Sequence, residues 1–201
     1  MRLRSVPGAV LPAALAFAAS ASASTPRLAI RSAAPWGVSV GLPVRWRVVV
    51  VPKRVTPSFL ARAGRRHPPL SATLPAAVRL GVKLVAYEPP PPGAFAPNLN
   101  VIVDPFPEGT TLRAWMFQGA SAGYVHVGTT TAVRVRGVRG LRYVSTKAVR
   151  SGTLPLLTVE YAFARGGRVY LFTFTAPAAK AAAYRPLFDR AARSIRFGHA
   201  A

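Results

Sequence analysis

Apolar and polar residues alternate with a period of two through much of the second half of the chain, and glycine-bearing turns interrupt the pattern. Leu157, Val159, Tyr161 and Phe163 alternate with smaller or polar residues, which predicts a strand with one buried face. Val169 to Phe174 is apolar on both sides of the pleat, so the strand it forms needs cover on both faces. Turn signals at Gly137 to Gly140, Ser151-Gly152 and Gly166-Gly167 divide this region into an antiparallel meander. Upstream, the segment Trp36 to Val51 predicts two short strands broken at Leu42-Pro43, with Val48 to Val51 buried. Lys83 to Tyr87 predicts another strand, and Asn98 to Asp104, with Leu99, Val101 and Val103 on one side, predicts one that ends at Pro105 and Pro107. The proline run from Glu88 to Gly93 is a stiff surface connection.

Helical signals frame these strands. Thr56 followed by Pro57 is an N-cap with proline at the first helical position, and the helix continues through FLARAGRR until Gly64 limits it. Leu74 to Leu80 forms a second helical piece after a turn at His67 to Leu70, and Thr110 or Thr111 caps a third that runs to about Gln118. Near the end, Tyr184, Phe188, Ala191 and Ile195 make one apolar stripe, while Arg185, Asp189 and Arg193 stand a turn apart on its back and are expected to pair there. Pro186 is expected to start or kink that helix. With helices on both sides of the meander, the predicted architecture is α+β: a three-layer α/β/α sandwich around an antiparallel sheet.

The first residues have a different logic. Arg2 and Arg4, a short apolar stretch from Val6 to Ala19 and the small-residue run Ala19 to Ala23 make a cleavable export signal over 1–23. A spanning anchor needs about 20 consecutive apolar residues, and this stretch is shorter and contains Pro7 and Pro12. Expected boundaries are therefore 1–23 for the signal, 24–35 for a flexible mature N-terminus and 36–198 for one domain. The expected location is extracytoplasmic and envelope-associated, with no transmembrane segment after cleavage. The absence of cysteine removes disulfides, thiolate metal sites and cysteine nucleophiles, so packing alone holds the fold.

Charge narrows the partners. Lys+Arg 27 against Asp+Glu 5 gives a net +22, which attracts polyanions with a steep salt dependence. Outside a cell these are lipid headgroups, anionic envelope polymers or acidic proteins. Val133 and Val135 alternate with Arg134 and Arg136, and Arg139 and Arg142 follow beyond a glycine turn, so Arg134, Arg136, Arg139 and Arg142 are the candidate anion or partner-binding face. Trp46 between Arg45 and Arg47 allows an aromatic-basic surface for single-stranded nucleic acid, but a tryptophan anchoring the core is the simpler account, and export weighs against that ligand.

Catalytic chemistry finds no pattern. His67 sits in a loop, His126 at a strand start and His199 in the tail, none in a metal-ligand spacing, and no G-x-S-x-G elbow occurs. Glu88 and Glu108 flank proline-rich turns and are expected to be solvated, Asp104 ends a strand, and Glu160 is expected to pair with Arg134 or Arg142. Neither a metal nor another cofactor is expected.

The ordered pieces resemble the PsbP-like superfamily, which includes the Mog proteins and the actinobacterial LpqN-like secreted proteins. Gly37 to Pro43 with Trp46 is similar to its opening S-V-x-L-P-x-x-W strand pair, and Asn98 to Val103 to its N-x-N-V strand. Gly140 to Tyr143 resembles the glycine-led strand, Val159 to Phe163 the Q-Y strand with Glu160 in place of glutamine, and Val169 to Ala176 the Y-x-L-T-x-x-A strand. Tyr184 to Phe197 resembles the terminal F-x-x-I-x-x-S-I/F helix. The resemblance covers nearly the whole mature chain and implies the fold and a non-enzymatic, partner-binding character; it supplies no functional residues. The expected function is a secreted, non-catalytic accessory or binding protein of the cell envelope. The alternatives are a lipid or small-ligand carrier with an apolar pocket and an unrecognised extracellular hydrolase using His126.

Overall fold

A computed structural model describes residues 26–91, 93–118, 128–147 and 154–198. The expected signal, His126, His199 and the turn at Ser151-Gly152 lie outside the described residues. The strands are β1 (Leu28–Ala33), β2 (Val38–Pro43), β3 (Arg47–Val50), β4 (Val82–Tyr87), β5 (Asn98–Pro105), β6 (Gly128–Val135), β7 (Val138–Lys147), β8 (Leu156–Arg165), β9 (Arg168–Pro177) and β10 (Arg196–Phe197). The helices are α1 (Pro57–Arg66), α2 (Leu74–Arg79), α3 (Leu112–Gln118) and α4 (Ala181–Arg193). Seven strands form one antiparallel sheet in the order β3-β4-β5-β9-β8-β7-β6, and β1-β2-β10 form a second, smaller sheet.

The alternation in β8 and β9 decides what each face of the large sheet must meet. Leu157, Val159, Tyr161 and Phe163 line up with Tyr170, Phe172, Phe174 and Ala176 on one face, all buried. Phe188, Ala191, Ala192 and Ile195 from the α4 end of the chain cover them, joined by Val38, Val40 and Leu42 from the small sheet. Each large side chain removed from water here contributes about 1.5–3 kcal/mol. Phe188 stacks on Phe174 with ring centroids 5.0 Å apart, which ties helix to sheet at the centre of this layer. The sandwich is therefore three-layered as expected, with one outer layer made of both a helix and a small sheet.

The other face carries α1, α2 and α3. Val49, Val82, Val85 and Tyr87 pack against Ala63, Leu70 and Leu74 from α1, the following turn and α2. α3 lies farther along, over β7 and β8, where Phe117 meets Tyr143 edge-on. Between these two covers runs a half-buried polar band in which Asn100 registers with Thr173 and Thr173 with Glu160. Asn98, Thr175 and Thr158 register in the next row.

Local signals explain the element ends. Thr56 accepts the backbone N–H of Phe59 through its hydroxyl, with Pro57 at the first helical position, a cap worth about 1 kcal/mol. Thr111 accepts the N–H of Ala114 at 3.1 Å and so is the cap of α3. Gly140 sits where a β-carbon would come within 2.4 Å of the Phe163 ring and the Ala162 carbonyl, so the strand crossing requires glycine.

Three expectations need correction. The stretch 24–35 contains a strand: β1 pairs antiparallel with β2 from Leu28↔Pro43 to Ala33↔Val38. Its ladder is made by a partner farther along the chain and only Ala33 is fully buried, so the local pattern is weak. α4 begins at Ala181, so Pro186, which has no N–H to offer the preceding turn, lies inside the helix and does not start it. Asp189 does not pair along its own helix; it turns inward to the sheet, as described next.

Candidate functional site

The arginines split by strand parity. Arg134 and Arg139 stand opposite each other in the β6–β7 ladder, and both are exposed. Arg134 donates to the Gly137 carbonyl at 3.3 Å. Arg136 and Gly137 form the turn with φ of 48° and 82°, the left-handed pair of a type I′ hairpin, in which asparagine and glycine are the favoured residues. An arginine there carries backbone strain of about 1–2 kcal/mol.

Arg142 does not share that face. An odd number of residues from Arg139, it points to the α4 side, where its Nε donates to the Tyr161 hydroxyl at 3.1 Å and to Asp189 Oδ1 at 3.0 Å, and its Nη2 lies 2.9 Å from the same oxygen. Tyr161 also donates to Asp189. Burial and then the bond to Asp189 push the Tyr161 hydroxyl well above its ordinary pKa, so it stays protonated and donating. Burial alone would lower the Arg142 pKa, but the bonds to Tyr161 and Asp189 outweigh it and raise it. Arg142 therefore drops out of the expected four-arginine face.

A second trio of the same composition ties the other end of α4. Glu88, just past β4, pairs with Arg45 at 2.6 Å and accepts from the Tyr184 hydroxyl. Burial followed by this bond raises the Tyr184 pKa. Glu88 is thus held by partners, with 17% of its side chain exposed, and is not the solvated turn residue expected. The difference lies in the arginine: Arg142 is 20% exposed and Arg45 67%.

Arg45 opens onto a cleft of about 580 Å³ at the β3 edge of the large sheet, lined by Arg31, Val44, Trp46, Arg47, His67 and Pro89 among others. Distant segments build it. Arg31 comes from β1, the 44–46 link joins the small sheet to the large one, Arg47 opens β3, His67 closes α1, and Pro89 follows β4. Trp46 is 3% exposed and anchors the core, yet its Nε1–H has no acceptor, and neither has the buried Nε–H of Arg31. A buried donor without a partner costs about 1–3 kcal/mol. His67 is half-buried rather than solvated, with Nδ1 3.2 Å from the Tyr87 hydroxyl. Burial, then Arg47, then Arg66 lower its pKa, which favours the neutral ring. The sequence signal for this cleft was the Arg45-Trp46-Arg47 triplet; Arg31 was missed because its strand was.

A separate cavity of about 370 Å³ lies over the large sheet beneath α2, lined by Leu70, Leu74, Ala77, Val85, Phe95 and Asn100 among others. The amides of Asn98 and Asn100 bond within the protein, to the Ala96 carbonyl and to Asn98 Oδ1. Glu160 accepts from Thr173 at 3.4 Å on this same face, whereas Arg142, one of its two expected partners, lies on the other. No group of three metal-ligating side chains occurs among the described residues, and no described helix is long and apolar enough to cross a membrane.

Comparison with solved structures settles the architecture. Cyanobacterial PsbP (CyanoP) from Synechocystis sp. PCC 6803 superposes with a TM-score of 0.56 at 15% identity, over 90% of this chain and 98% of that one. The fold is PsbP-like. LpqN from Mycobacterium tuberculosis, a protein involved in cell envelope biogenesis, shares the PsbP-like fold with a TM-score of 0.51 at 8% identity, over 81% of this chain and 83% of its own. No family model matches the chain, and no curated protein matches its sequence. At these identities a PsbP-like fold fixes the scaffold and leaves the site to be argued from its own residues.

Proposed function

We propose that this is a secreted, non-catalytic binding protein of the cell envelope whose basic surface contacts an anionic envelope component or an acidic protein. The observation that carries this reading is the β6–β7 hairpin, where the exposed Arg134, Arg136 and Arg139 crowd around a tight turn and Arg136 occupies a strained left-handed position. A turn under no functional demand relieves such strain with glycine or asparagine. The non-catalytic character is supported by the carboxylates Asp189 and Glu88, each engaged by an arginine and a tyrosine rather than placed against a nucleophile. The envelope setting is supported by the leader-like first residues and by the likeness to LpqN.

Salt titration tests it. The purified protein is bound to anionic vesicles, a phosphate-bearing wall polymer, an envelope extract and duplex DNA, beside a variant carrying Arg134→Gln, Arg136→Gln and Arg139→Gln. Retention by one envelope partner at high salt, lost in the variant, is the expected result. Equal release from every polyanion as salt rises reduces the charge to generic attraction and overturns the reading.

The cavity beneath α2 favours a second reading, a small-ligand carrier whose cargo has an apolar body. Leu74→Trp fills that space; extraction of a copurifying lipid from the parent protein and its loss from this variant would support the carrier.

A further inference from the structure

We infer that the cleft at the β3 edge binds a phosphoester, a phosphate oxyanion carrying an organic arm. The cleft presents donors. Arg31 and Arg47 bring guanidinium groups for which no carboxylate partner is found among the described residues, Arg31 Nη2 donating to the Val44 carbonyl at 3.3 Å, and Arg45 keeps N–H groups beyond those turned to Glu88. Guanidinium forks match the spacing of phosphate oxygens and donate in pairs. Two of the buried donors without acceptors, Nε1 of Trp46 and Nε of Arg31, belong to residues of this same lining, so an anion seated in the cleft lies beside donors that the protein leaves unmet.

Size and wall chemistry supply the organic arm. The volume, about 580 Å³, far exceeds a bare phosphate, and Val44, Val48 and Pro89 make part of the wall. Val44 is 55% exposed at this site, an apolar contact placed beside cations. That pairing is what a headgroup with attached carbon chain requires. Glu88 holds one side of Arg45 and is the acidic neighbour that an incoming phosphate must tolerate.

Two sources share this chemistry, a soluble phosphoester and a phospholipid headgroup. Glycerol 3-phosphate titrated by calorimetry probes the first; flotation with vesicles of phosphatidylglycerol in phosphatidylcholine probes the second, both at about 150 mM salt. Binding in either arm is expected to fall about tenfold or more in Arg47→Gln and in Arg31→Gln, and to strengthen in Glu88→Gln. Arg134→Gln with Arg139→Gln, at the opposite edge of the sheet, is expected to change glycerol 3-phosphate binding less than about twofold. The indole N–H resonance of Trp46 moves when the parent protein is saturated. Binding in solution without flotation assigns a soluble ligand; flotation alone assigns the lipid. Absence of binding in both arms, an unmoved Trp46 resonance at saturation, or equal weakening of glycerol 3-phosphate binding by the hairpin variant overturns the inference. Thermal midpoints accompany each variant, and if Arg31→Gln does not fold, Arg47→Gln on its exposed side chain decides the matter. The inference shares with the proposed function only the premise that the protein meets anions. Failure at the cleft leaves hairpin-dependent envelope retention intact, and failure at the hairpin leaves phosphoester binding intact.

Discussion

Two trios of arginine, carboxylate and tyrosine join α4 to the large sheet, and they end in different chemistry. In Arg142–Asp189–Tyr161 the guanidinium is sunk between helix and sheet, and its donors meet the hydroxyl and the carboxylate. In Arg45–Glu88–Tyr184 the carboxylate and tyrosine are held in the same way, but the arginine lies at a cleft lined by further cations. Residue type is shared, and exposure separates them. A guanidinium whose donors are met inside the protein contributes to stability; one left open at a walled cleft is available to a ligand.

The largest expected effect breaks the closed trio. Asp189→Ala leaves Arg142 partly buried without its carboxylate and is expected to cost about 2–3 kcal/mol in denaturant unfolding, with glycerol phosphate binding unchanged. The open trio should behave in the opposite sense. Arg47→Gln, beside it in the cleft, is expected to lower phosphoester affinity about tenfold, equal to about 1.4 kcal/mol of binding, while the unfolding midpoint moves little. If the two variants show the same mixture of stability and binding loss, the distinction drawn here is wrong.

The hairpin supplies a third contrast, in which stability and binding move apart. Arg136→Gly relieves the left-handed strain and is expected to raise stability by about 1 kcal/mol while weakening retention on anionic envelope polymer. A fall in stability would show that the arginine side chain supports the turn. The smallest effect is acid sensitivity at the cleft. Because His67 has a lowered pKa when folded, the unfolded chain takes up its proton first as pH falls through about 6.5, and stability declines below that point. Arg47, Arg66 and Tyr87 are the groups that surround it. His67→Gln is expected to flatten that part of a melting-temperature profile, and saturating glycerol phosphate to flatten it in the parent protein.

Much of the scaffold was legible because it rests on local patterns. The alternation in β8, the buried Tyr170-Phe172-Phe174 face of β9, the Thr56-Pro57 start of α1 and the terminal stripe of α4 each reflect which side of one element must leave water. β1 was not legible, since its hydrogen bonds go to β2 and its sequence has little to bury. The site was harder. Sequence proximity groups Arg142 with Arg134, Arg136 and Arg139 because all four crowd around one turn, yet the one-residue parity of a strand sends Arg139 and Arg142 to opposite faces. Asp189 had two arginines a turn away on its own helix and chose neither, because a third, from β7, meets it together with a tyrosine on the half-buried side.

By itself the sequence determined the strongly basic balance, the absence of thiol chemistry, the order of the helices and of the strands between β2 and β9, and the PsbP-like core pattern, because composition and periodicity are properties of neighbours along the chain. Only the tertiary structure decided which of the arginines are used up internally and which face a ligand. That choice depends on distances between β1, the 44–46 link, the end of α1 and the residue after β4, which lie far apart in sequence and meet only when both sheets have formed.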